Sequence, residues 1–328
     1  MRKPKLALSL VVVCLSAGGA WGDAVLPDGT TVGAPLSQGH LTLVPLLASA
    51  PPAPGDATAY LTLDEGMDKG LVKIIERGNG GSVNELVVSN QSDRPLFVMS
   101  GEVILGGQQD RIIGKDTVIP ARKKQEVPVF CVEHGRWNGN DKSFRTAKAM
   151  AHTKLRKQAS YAGQGEVWDE VAKKNKARGE ENGTDTYRRV ATEKHTADAV
   201  KPYAEALGAA LAALPERDRV VGVAVAVNGE VVAIEQFDSP ALWGKVQDKI
   251  LRSYFVEAVD VPVARTPRAL TAEDVVAFAR TGEATQAETV LESAGRKTER
   301  LTGKGVKGTK VVEEDAPARP VYKSLHKD

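Results

Sequence analysis

Between Ser100 and Trp137 the chain sets two dense polar clusters into apolar, strand-like runs: Ser100-Gly-Glu-Val-Ile-Leu-Gly-Gly-Gln-Gln-Asp-Arg111 and Val127-Pro-Val-Phe-Cys-Val-Glu-His-Gly-Arg-Trp137. Charged side chains inside core strands need a partner or a task, because an unpaired buried charge is costly. If the two runs pair, Glu102, Gln109, Arg111, Glu133, His134 and Arg136 meet at one place. Two carboxylates and two guanidinium groups there can serve acid–base catalysis, with Glu102 or Glu133 as the catalytic residue. They can also grip a phosphate or carboxylate through forked hydrogen bonds. Alternatively, the same groups satisfy one another as a purely structural ion-pair network.

Alternate residues of a strand share a face, so Gln109 projects with Arg111 and Cys131 with Glu133. Cys131 and His134 then face opposite sides unless the chain turns sharply at Glu133 to Gly135, and a small buried cysteine is the expectation. Trp137 serves either as a stacking surface for a ligand ring or as a core residue. Gly101, Gly106 and Gly107 suit turns or close backbone approach, but their spacing is not that of a nucleotide loop opening a helix. The five histidines occur singly, and neither Cys-x-x-Cys nor His-x-x-x-His spacing is present, so no metal and no cofactor is expected. A Gly-x-Ser-x-Gly serine elbow is also lacking.

The elements that must position these residues fall into an α+β order. From Leu41 to Val132 short apolar runs alternate with turn residues, which reads as β: Leu41 to Leu47, Ala59 to Leu63, Leu71 to Ile75, Glu85 to Val88, Leu96 to Met99, Val103 to Leu105, Arg111 to Ile113 and Val127 to Val132. Pro51 to Asp56 is a proline-rich connection and Gly78 to Gly81 a flexible turn. The β-rich half thus spans 41–137. Lys142 to Leu214 is rich in Ala, Lys, Arg, Glu and Gln, with Val167, Trp168 and Val171 spaced for one helical face, and predicts three or four helices. Lys142 to Lys201 holds 14 Lys and Arg against 8 Asp and Glu, either a solvated helix face or an anion-binding patch. Aromatics are too sparse there for single-stranded nucleic acid, so no nucleic-acid partner is expected.

The region 218–328 opens on the clearest local signal. Asn228-Gly229 between Val220 to Val227 and Glu230 to Phe237 predicts a tight hairpin. Ser239 and Pro240 then start a helix carrying Leu242, Trp243, Val246, Ile250, Leu251, Tyr254 and Phe255 at helical spacing. Thr271 caps a short second helix ending near Gly282, and weak strand character returns at Lys310 to Val312 and Val321-Tyr322.

Residues 1–22 read as an export signal: Arg2, Lys3 and Lys5 precede the apolar run Leu6 to Leu15, and Ala20-Trp21-Gly22 follows. The expected product is an exported, periplasmic or secreted protein with a single α+β domain over 23–328 and no transmembrane segment after signal removal. Losing the three leader cations takes the formal charge from +2 to about −1. Cys14 leaves with the leader, so Cys131 has no intramolecular disulfide partner.

Asn90-Gln-Ser-Asp-Arg-Pro95, Gly101-Glu102, Gly107-Gln-Gln-Asp-Arg111, Val129 to Trp137 and the hairpin-helix from Asn228-Gly229 to Ser253-Tyr254 resemble the bacterial domain family named for its association with ADP-ribosylglycohydrolases and rhodanese-phosphatase proteins. The resemblance runs from Leu41 to Leu325 and implies a role connected with ADP-ribose or related nucleotide derivatives. Three functions follow as expectations. The first is binding of a small anionic, nucleotide-like or sugar-phosphate ligand; the second is a hydrolase using Glu102 or Glu133; the third is a non-enzymatic envelope scaffold acting through a protein partner.

Overall fold

The computed structural model describes residues 21–50, 60–77, 84–136, 143–293, 295–314 and 320–328. Most of the leader, the Pro51 to Asp56 connection, the Gly78 to Gly81 turn and Trp137 therefore lie outside the described residues.

The polar clusters sit in a six-stranded antiparallel sheet ordered Phe144–Met150, Glu102–Gly106, Arg111–Ile113, Lys124–Cys131, Glu85–Asn90 and Val72–Glu76. Ile74, Leu86, Val88, Ile104, Ile113, Val127 and Val129 from its strands pack into one apolar cluster. A small three-stranded sheet, Thr117–Ile119, Leu96–Val98 and Leu61–Thr62, closes part of that cluster.

The second large sheet, nine-stranded among the described residues, joins distant parts of the chain. Leu41–Leu47 pairs with Val220–Val227, which pairs in turn with Glu230–Phe237, and Tyr322–Lys327 adds to the far side. Val306–Glu313, Arg296–Gly303 and Gln286–Ser293 continue it as a meander. The expected hairpin forms as its residues dictate, with Asn228 at φ 53° and Gly229 at φ 82°. Only glycine fits the second position, since a Cβ there would stand 1.8 Å from the Arg268 carbonyl oxygen.

Helices cover the sheets. Pro240–Ala258 starts where Ser239 Oγ accepts the Leu242 amide, and it buries Leu242, Trp243, Val246, Ile250 and Tyr254 in the main core. Thr153–Tyr161, Gln164–Arg178, Arg188–Thr192 and Lys194–Ala212 form the helical middle. Ala272–Glu283 follows a reciprocal Thr271/Asp274 cap. None of the described helices is long and apolar enough to cross a membrane.

Three expectations need correction. The helical middle does not begin at Lys142: Phe144–Met150 is a strand held by Glu102–Gly106, so ladder pairing overrides its Ala- and Lys-rich composition. Leu63 ends no strand; it opens the helix Leu63–Asp68, whose Thr62/Glu65 capping box was a readable signal. The weak tail strands are long ones, and Gln286–Ser293 escaped notice because it is mostly exposed and lacks an apolar alternation.

Candidate functional site

The two polar runs do come together, with Cys131 opposite Arg111 and Phe130 opposite Ile112. Past Cys131 the chain leaves the ladder, and Glu133 and Arg136 turn towards the bend before Arg111. Arg136 donates from Nε to Glu133 Oε2 at 2.9 Å and from Nη1 to the Gly107 carbonyl at 2.9 Å. Asp110, fully buried, is the hub: Oδ1 accepts the Gly106 amide at 2.9 Å and Arg188 Nη2 at 2.7 Å, and Oδ2 accepts Thr186 Oγ1 at 3.0 Å and Arg188 Nε at 2.9 Å. Glu133 also accepts the Asp110 amide and the Thr184 hydroxyl, both at 3.1 Å. Strand-derived acids are thus clamped to the start of the Arg188–Thr192 helix, and both carboxylates are saturated with donors.

The other expected members stand apart. Glu102 is buried beside Lys249, which also reaches Asp64 Oδ2 at 3.0 Å, while Glu102 Oε2 accepts the Met99 amide at 2.8 Å. Burial pushes the Glu102 pKa up against the pull of Lys249. Arg111 is fully buried and donates from Nη1 to the carbonyl of Gln109, itself buried, at 2.8 Å. His134 is exposed and meets Trp168 edge-on with ring centroids 4.4 Å apart. Cys131 is buried, and burial raises its thiol pKa; Gln164 brackets its backbone by bonding both the amide and the carbonyl. The single convergence expected of Glu102, Arg111, Glu133 and Arg136 is therefore three separate places.

A second polar centre was not foreseen. Glu235, fully buried in Glu230–Phe237, accepts Arg156 Nη1 and Tyr254 Oη at 2.7 Å each, and Tyr322 Oη bonds its other oxygen. Burial alone would raise the Glu235 pKa; the charge on Arg156 overrides this and holds the carboxyl below its ordinary range. Arg156 can lie flat against the backbone only because residue 101 is glycine at φ 87°: a Cβ would stand 2.5 Å from Arg156 Cγ. The sequence signal was an acid inside Val231-Val-Ala-Ile-Glu-Gln-Phe237.

Beside this centre opens a groove of about 640 Å³. Val227, Val232, Val261 and Tyr254 give it an apolar floor; Lys154, Lys157, Arg268 and Lys327 face Glu230, Glu257 and Asp328 around its rim. Lys154 pairs with Glu257 at 3.0 Å, whereas Lys157 and Asp328 are 3.7 Å apart. His326 lines the groove at 6% exposure, and burial drives its pKa down to about 4, so the ring is neutral. Its Nδ1 makes no hydrogen bond, nor does Thr153 Oγ1 at the start of a helix that its N-cap residue, His152, does not cap with its side chain. No cluster of three His, Cys, Asp or Glu side chains able to hold a metal ion occurs among the described residues.

Mostly antiparallel sheets covered by helices, with charged networks buried among them and a groove beside one of these networks, define an α+β protein. The chain matches the ARG and Rhodanese-Phosphatase-superfamily-associated Protein domain over residues 29–325 and belongs to that family. No curated protein and no solved structure matches it.

Proposed function

We propose that this chain is a binding domain for a small anionic organic ligand, seated in the groove over Tyr254 and His326. One observation carries the reading: a hollow of about 640 Å³, within the range of small-molecule sites, combines an apolar floor with a few convergent polar groups. Lys154 and Lys157 stand one helical turn apart on its rim; Arg268 and Lys327 are paired with Asp274 and Glu230, and Lys154 with Glu257, whereas Lys157 lies 3.7 Å from Asp328, which Lys307 holds at 2.9 Å. Lys157 is therefore the least neutralised cation of the rim and the one best placed to meet an anion. A hydrolase using Glu102 or Glu133 has less support, because each carboxylate already accepts a cation and a backbone amide. The saturation of Asp110 and Glu133 instead favours an architectural role for that network, fastening helices to sheet.

Export follows as part of the same proposal, on the basic residues and apolar run of 1–22, and cell fractionation tests it. For binding, a panel of small organophosphates is titrated calorimetrically into the full chain and into Lys154→Ala/Lys157→Ala. Binding lost in the double variant, with the melting temperature kept, supports the groove. A folded chain that binds none of the panel removes the proposal.

A further inference from the structure

A second, much smaller hollow, of about 10 Å³, shares two walls with the groove: Lys157 and His326 line both. That volume suits one oxygen-sized group. Ser100, Ser160, Thr309 and Ser324, with the buried ionic groups Asp116 and Arg156, make up most of its remaining walls, and Tyr161 and Gly308 complete them. The strong bonds among them are already made. Thr309 donates to Asp116 Oδ2 at 2.6 Å, Ser100 offers its amide to Asp116 Oδ1 at 2.8 Å, and Ser160 donates to the Arg156 carbonyl at 3.0 Å. Arg156 is neutralised by Glu235. What is left is weak contact: Ser100 Oγ donates to the Gly114 carbonyl at 3.3 Å and lies 3.5 Å from Ser160, Thr309 and Ser324 are 3.2 Å apart, and Nδ1 of His326 is unbonded.

A second anion gains little in such a place, because Asp116 opposes it, Arg156 is paired with Glu235, and Lys157, the remaining cation, is already assigned to the anionic end in the groove; a methyl group would leave the bare Nδ1 of His326 unbonded. A hydroxyl both donates and accepts, and it matches the lining on both counts. We infer that this small hollow is a recognition subsite for one hydroxyl group, so that the ligand of the groove is a hydroxylated anion of the sugar-phosphate class. The inference rests on the groove reading and adds to it: the rim cations hold the anionic end, and the inner well selects the polyol end.

Ribose 5-phosphate and pentyl phosphate share a five-carbon backbone and a phosphate but differ in hydroxyls. Each is titrated into the full chain, Ser160→Ala and Ser324→Ala, with melting curves confirming the fold. Ribose 5-phosphate should bind at least about tenfold more tightly, the order of one net hydrogen bond. One or both serine variants should shrink that ratio to roughly threefold or less. Equal affinity of the two compounds overturns the hydroxyl subsite and leaves the groove reading standing. A preference that both variants preserve also overturns it, by placing hydroxyl recognition elsewhere. Binding of neither compound takes down the subsite and the groove together.

Discussion

Arg188 grips Asp110 with two parallel hydrogen bonds, Nε to Oδ2 at 2.9 Å and Nη2 to Oδ1 at 2.7 Å, across 78 residues of sequence. The pair fastens the helical middle to the bend between the strands Glu102–Gly106 and Arg111–Ile113. Removing the hub carboxylate takes away the shared acceptor of Arg188 Nε and Nη2, the Thr186 hydroxyl and the Gly106 amide, so Asp110→Ala should cost about 3–5 kcal/mol in urea unfolding. Arg188→Ala should cost less, because its guanidinium is one-third exposed and Asp110 keeps Thr186 and Gly106. The double variant should be less destabilised than the two losses added together. Full additivity would show that the pair is not coupled.

Glycine is required at position 101 for two independent reasons, a φ of 87° and the side chain of Arg156 pressed against its Cα. Gly101→Ala should therefore destabilise by roughly 1–3 kcal/mol or more and loosen the Glu235–Arg156 pair. Gly165, inside the helix Gln164–Arg178 with open space around it, is the control: alanine there should be neutral or stabilise by up to about 1 kcal/mol. Thermal melts of the two variants should move in opposite directions, or only the first should move.

Stability should fall in mild acid. Burial lowers the His326 pKa from 6.5 to about 4, so between those values the unfolded chain binds a proton that the folded chain does not. The contribution is present in full above pH 6.5 and is lost as pH falls towards 4, amounting to about 3 kcal/mol. His152, lowered by burial, acts with the same sign. Glu235, whose pKa is also lowered, extends the loss below its ordinary carboxylate range. His326→Asn keeps a polar atom near Nδ1 and does not titrate, so its stability curve between pH 6.5 and 4 should be flatter than that of the unaltered chain. Parallel curves would show that His326 is not the titrating group.

Much of this was legible in the residues. Asn228-Gly229, Ser239-Pro240 and Thr271 carry their structure locally, through positive φ, a hydroxyl cap and a fixed proline φ, and each forms as expected. The pairing of the two polar runs was also readable from their apolar alternation. Which cation each acid takes was not. Glu102 meets Lys249 across 147 residues and Glu235 meets Arg156 across 79, and no periodicity reports such distances. The same rule that singles out Glu102 and Glu133, an acid inside an apolar strand, applies to Glu235. The groove is assembled from a helix start, a hairpin turn and two strand ends, so it has no contiguous sequence signature.

Where the ligand sits is decided most directly by one titration series. Ribose 5-phosphate is added calorimetrically to the unaltered chain, to Lys154→Ala/Lys157→Ala and to Arg188→Ala, all shown to be folded. Affinity should fall at least about tenfold in the lysine variant and stay unchanged in Arg188→Ala, since each lost charge-assisted bond is worth roughly 1.5–3 kcal/mol. Binding that survives loss of the lysines and disappears with Arg188 would return the site to the Asp110 network and contradict the account.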